Sequence, residues 1–147
     1  NFSGRRLVRL AESGSRIRLL FLNPASSSVK RRERELGMKR GELSRSVEMN
    51  ILHMRRVRSR LRDPDAFQIQ VYDETPRFTA YLVDGDGADG VAVVQSYLRG
   101  ARGMESPVLV LRNGSRLVKS DDAGEAGLFP TYREEFELAW ADSRPVS

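Results

Sequence analysis

The chain has 147 residues, 39% hydrophobic and 31% charged, with a formal net charge of +5 at pH 7. One domain of this length can bury a core, and no window approaches the roughly 18 consecutive apolar residues of a membrane span. The absence of cysteine excludes disulfides, thiolate nucleophiles and cysteine-held zinc or iron–sulfur centres, and one histidine, His53, is too few for a histidine-rich metal site.

Leu7, Val8, Leu10 and Ala11 recur at helical spacing between Ser3 and Gly14 and predict a first helix, ended by Ser13, Gly14 and Ser15. Arg16 to Leu22 reads as a buried strand stopped by Asn23 and Pro24. Pro24 and the serines at 26 to 28 then suit the opening of a helix over Val29 to Leu36. That order places Asn23 at the carboxyl end of a strand, where open α/β sheets collect their ligands. Leu43, Val47, Ile51, Met54, Val57 and Leu61 form one apolar stripe on a long helix that Asp63 and Pro64 terminate.

Phe67, Ile69 and Val71 alternate with Gln68, Gln70 and Tyr72, as in a half-buried strand. Thr75 and Pro76 turn into a strand over Phe78 to Val83, and the Asp/Gly turn at 84–90 returns the chain as a strand from Val91 to Leu98. Pro107 to Leu111 is a short strand, and a polar loop runs from it through Gly127. Tyr132, Phe136, Leu138, Ala139 and Trp140 close the chain on a helix ending near Arg144 and Pro145. The expected fold class is α/β, one domain over residues 1–147 with a mixed sheet packed by helices.

The stretch Arg77-Phe78-Thr79-Ala80-Tyr81-Leu82-Val83-Asp84 carries the most information about function. Its first, third and eighth residues occupy the positions of His, Lys and Asp in the His-x-Lys-x-x-x-x-Asp motif of the phospholipase D superfamily, which the chain resembles from end to end. The strand Gly14 to Leu22, the segment Val71-Tyr72-Asp73 and the closing Phe129 to Trp140 are similar to the corresponding parts of such modules. The order of Leu22-Asn23-Pro24, Tyr72 to Pro76 and the terminal helix also resembles domains found after helix-turn-helix regions in bacterial regulators.

The resemblance implies a phospholipase D-like fold with its chemistry removed. Arg77 stays protonated and cannot attack phosphorus, and Thr79 supplies no charge. It further implies a homodimer with a pocket near the two-fold axis, because catalytic members bring two motifs together. The expected role is a cytoplasmic sensor domain of a bacterial transcription regulator that binds a small, anionic effector and needs no cofactor. The chain opens on Asn1 rather than Met, and a DNA-binding domain is expected outside it, upstream.

The expected ligand-binding residues are Asn23, Tyr72, Arg77, Thr79, Asp84 and Tyr97. Arg77 would anchor the anion, Asn23 and Asp84 orient it, and the two tyrosines supply apolar walls. On the plainer view Arg77 is a solvent-facing strand residue beside a proline corner. Asp84, Asp86 and Asp89 form a solvated turn rather than a calcium loop, since the twelfth position from Asp84 is Gln95. No metal is expected.

Charge is divided along the chain: residues 1–62 hold 17 Lys/Arg against 5 Asp/Glu, and residues 63–147 hold 8 against 15. The run Arg55 to Arg62 reads first as the exposed face of the long helix. Two other function classes remain open: a phosphodiesterase or nuclease with a rebuilt site, and a direct nucleic-acid binder using that run.

Overall fold

The computed structural model describes residues 4–73, 78–85, 87–96, 98, 100–101, 105–113 and 128–146. In chain order the elements are α1 (Gly4–Glu12), β1 (Ile17–Leu22), α2 (Ser27–Glu35), α3 (Glu42–Ser59), β2 (Phe67–Tyr72), β3 (Phe78–Val83), β4 (Val91–Ser96), β5 (Val108–Arg112), α4 (Leu128–Ala141) and β6 (Arg144–Pro145). The strands form one mixed sheet in the order β5-β4-β3-β1-β2-β6. Only β1 and β2 run parallel, Ile17 beside Phe67 through Leu22 beside Tyr72, and the other four neighbours are antiparallel. A parallel pair needs a long crossover, which α2 and α3 supply, whereas β3 to β5 follow one another through turns and loops.

Side-chain alternation sends the sheet into two cores. On one face Ile17, Leu19, Phe21, Phe67, Ile69 and Val71 pack against Leu7 of α1 and Val47, Ile51, Met54 and Val57 of α3. On the other, Leu20, Leu22, Tyr72, Phe78, Ala80 and Leu82 pack against Val29 of α2 and Phe129 and Phe136 of α4. β1 is therefore buried on both faces, the physical reason for its nearly unbroken apolar run.

Local chemistry sets the helix starts. Ser26 caps α2, its Oγ accepting from the Val29 amide at 3.4 Å. Gly41 enters α3 at φ 81°, in the left-handed region that glycine tolerates, and, having no side chain, it offers no side-chain cap. Glu33 does so from α2: buried to 4% exposure, its carboxylate accepts from the Leu43 amide at 2.9 Å, placing negative charge at the positive end of the α3 dipole.

The closing helix expected after the loop through Gly127 is α4, which begins at Leu128. Residues 144–145, expected near a helix end, instead form a two-residue strand on the edge of β2. Among the described residues no helix is long and apolar enough to cross a membrane.

Candidate functional site

Two clefts lie near opposite ends of the sheet centre. The larger, of about 530 Å³, is lined by Arg16, Arg18, Gln68, Asp84, Ala88 and Trp140, among others. The smaller, of about 410 Å³, lies beside Asn23 and Val71, between α3 and the chain end at Arg144.

The larger cleft is organised by Asp84. This residue sits at φ 48°, a left-handed conformation that Asp tolerates better than most side chains. Its amide donates to the Arg16 carbonyl at 2.9 Å and its Oδ1 accepts from the Arg16 amide at 2.8 Å, so the carboxylate extends the β1–β3 pairing past the last strand residues. Its carbonyl accepts from the Gly87 amide at 2.9 Å, and the Asn113 side chain donates to the Gly87 carbonyl at 2.9 Å. Gly90 allows the turn to close: a Cβ there would stand 2.7 Å from the Asp84 carbonyl oxygen and 2.9 Å from the Phe129 ring. The rim is thus a braced loop rather than a loose one.

The wall comes from α4. Arg18 leaves β1 on the α4 side and makes a two-pronged ion pair with Glu137, one contact at 2.9 Å and the other through Nη2 and Oε1. Its guanidinium also lies 5.1 Å from the Phe136 ring centre and 5.4 Å from that of Trp140, and those rings stack at 5.5 Å. The Arg18 hydrogen bond holds the Glu137 carboxyl below its ordinary range, against the opposing effect of partial burial. Trp140 is thereby fixed as an aromatic wall. Beside it the exposed Gln68 side chain and Arg16 supply polar groups that can meet a ligand.

Of the expected binding residues, the four described ones, Asn23, Tyr72, Thr79 and Asp84, do not meet in one cleft. Asn23 and Tyr72 are neighbours, the Asn23 amide donating to the Tyr72 carbonyl at 2.8 Å. Both are occupied. The Asn23 side chain donates to Asp73 at 2.6 Å and accepts from the Ala25 amide at 3.0 Å, which closes the β1–α2 turn. Tyr72 is 5% exposed in the α2/α4 core and is no pocket wall. Thr79 is half-buried on β3, opposite Gln95. Asp84 stands beside Arg16, seven residues along the chain from Asn23, which is about 20 Å of strand. Arg77 and Tyr97 lie outside the described residues.

The strand end points to Asn23 and the motif spacing to Asp84, and neither signal carries strand direction: β3 runs antiparallel to β1 and carries Asp84 away from the carboxyl end of β1. The sequence pattern alone gives Arg18 no role and places Trp140 only on the closing helix. A signal for Arg18 was present, a charge at an inward position of an otherwise apolar strand.

Tyr72 offers a direct check on its structural role, since its hydroxyl donates to the Phe78 carbonyl at 2.7 Å. Tyr72→Phe is expected to lower stability by about 1 kcal/mol, with a range of roughly 0.5–1.5. Urea unfolding would measure it, and ligand affinity should not move.

Among the described residues no three His, Asp or Glu side chains are grouped so as to hold a metal ion. No curated protein and no solved structure matches the chain. A family model does match, over residues 1–147, and the chain belongs to that family, described as Domain of unknown function (DUF5919).

Proposed function

We propose that the chain is a non-catalytic, effector-binding and dimerising domain of a bacterial transcription regulator, with its ligand in the cleft between Arg16, Asp84 and Trp140. The cleft carries the reading. Its volume of about 530 Å³ falls within the roughly 300–1,000 Å³ of small-molecule sites, and it joins one aromatic wall to a few convergent polar groups. Among the described residues its lining includes no His, Cys or Lys, and so offers neither an imidazole base nor the usual nitrogen or sulfur nucleophiles. That agrees with a phospholipase D-like scaffold in which Thr79 occupies a catalytic lysine position.

The ligand that fits is small and polar, with a planar or apolar part against Trp140. Arg18 is committed to Glu137, which leaves Arg16 to receive an anionic end, while Gln68 and Asp89 meet neutral or donor groups. Two copies per functional unit, DNA reading by a domain outside this chain, and a cytoplasmic setting complete the proposal. The strand β5, at the sheet edge among the described residues, supports self-association, because its Val108, Leu109 and Val110 are 53%, 37% and 48% exposed.

Trp140 is the chain's single tryptophan and so reports on this cleft alone. Small molecules that copurify with the chain, identified by mass spectrometry and titrated back, should shift Trp140 emission and raise the melting temperature. Ala88→Trp, which fills the cleft from its exposed rim, should weaken binding at least about tenfold, or 1.4 kcal/mol. Ligand binding that leaves Trp140 emission unchanged and ignores Ala88→Trp would remove the cleft from the proposal. Turnover of bis-p-nitrophenyl phosphate, lost on changing Asp84, would replace sensing with catalysis.

A further inference from the structure

The arginines of α1 and of the last turns of α3 are not scattered. Gly4 of α1 packs against α3, where a Cβ on it would stand 3.1 Å from Val57 and 3.2 Å from the His53 ring. At the other end of α1, Glu12 accepts from the Arg62 amide at 3.1 Å. The two helices therefore run side by side in the same direction from His53 to Arg62. Helical spacing puts Arg5 and Arg9 one turn apart on α1, and Arg56 and Arg60 one turn apart just across the seam. All four are exposed.

This strip has little to neutralise it. No acidic residue occurs between Gly4 and Ala11 or between Met49 and Arg62. Glu12 is engaged by Arg62 at 3.6 Å, and Asp65 lies 3.9 Å from Arg58. The apolar side of α3, with Val47, Ile51, Met54 and Val57, is spent in the core. A membrane-surface helix would need that side for insertion, so the strip is ill-suited to lipid. Four guanidinium groups in two short rows suit an extended polyanion of high charge density, and arginine favours phosphate through its planar, forked donors.

We infer that the α1/α3 face binds the phosphate backbone of nucleic acid, without reading its sequence. This surface is separate from the Trp140 cleft, so each can fail without the other. In the context of a regulator it adds backbone contacts to whatever domain reads the bases, and it joins that role to the nucleic-acid reading that the Arg55 to Arg62 run leaves open. It also extends the basic run of α3 to a neighbouring helix, a juxtaposition only the fold creates.

Fluorescence anisotropy of the 147-residue chain with a random-sequence DNA duplex tests the inference. Affinity on the order of 1–100 µM is expected near physiological salt, with a log–log salt slope of about −3 to −4 for four phosphate contacts. Arg56→Gln with Arg60→Gln should flatten that slope by about 2 and weaken all duplexes alike. Arg31→Gln with Arg34→Gln on α2, equally exposed, should leave it unchanged. A melting temperature close to the parent's would show that each variant folds. Absent binding, a slope indifferent to Arg56 and Arg60, or tighter binding to phosphatidylglycerol vesicles than to DNA would each overturn it.

Discussion

Phe129→Ala should destabilise the domain by about 3–5 kcal/mol, a large part of the 5–15 kcal/mol that holds a typical domain folded. Phe129 is 1% exposed, and only it and Phe136 are buried among the residues of α4. Its ring fills the space left by Gly90 at the start of β4 and lies 5.9 Å from the Arg133 guanidinium. Removing the ring opens a cavity beneath one of two anchors, and the surrounding sheet cannot collapse to fill it. Urea denaturation should show a lower midpoint with little change in slope, and thermal unfolding a drop of about 10 °C. Phe129→Leu keeps most of the volume and should cost far less. Because α4 also carries Glu137 and Trp140, the alanine variant should loosen the cleft wall. Trp140 emission in that variant should move toward the wavelength of solvent-exposed indole before global unfolding begins.

Periodicity made most of this fold legible. The α3 stripe predicts Val47, Ile51, Met54 and Val57 inside, and all four are buried. The apolar run at 16–22 predicts a strand covered on both faces, which β1 is. The alternation at 67–72 and the turn at 84–90 likewise yield β2 and the β3–β4 hairpin. What periodicity cannot carry is direction and long-range meeting. Whether Asp84 lies beside Asn23 or at the far end depends on β3 pairing antiparallel with β1, and no local pattern encodes that choice.

Charged residues mislead for a related reason. Arg32 and Glu33 lie in the middle of a run whose composition belongs to solvent, yet both are 4% exposed. Their burial follows from distant partners, the carbonyls near residue 100 and the start of α3, that only the tertiary fold brings close. The same blindness hid the site. Arg18 and Trp140 are 122 positions apart, and the guanidinium that steadies the indole is visible only after β1 and α4 have met.

Arg32 gives the second large effect. Its Nη2 donates to the Leu98 carbonyl and, at 3.0 Å, to the Ala101 carbonyl, while Nη1 lies 3.4 Å from Glu35. One buried cation thereby ties α2 to the chain that follows β4. Truncation removes charge-assisted hydrogen bonds worth about 1.5–3 kcal/mol each, though the partial exposure of Leu98 lets water replace part of the loss. Arg32→Ala is therefore expected to cost about 3 kcal/mol by urea unfolding. Arg32→Lys should recover little, since a single ammonium lacks the fork that reaches both carbonyls while leaving Nη1 for Glu35. Arg31→Ala, one residue away on the exposed side, should stay within about 0.5 kcal/mol of the parent. Hydrogen exchange locates the change: the amides of α2 and of Ala101 should lose protection in Arg32→Ala, while those of β1 and β2 follow only the global loss. Equal effects at Arg31 and Arg32 would mean that bulk charge, rather than this bridge, holds α2 in place.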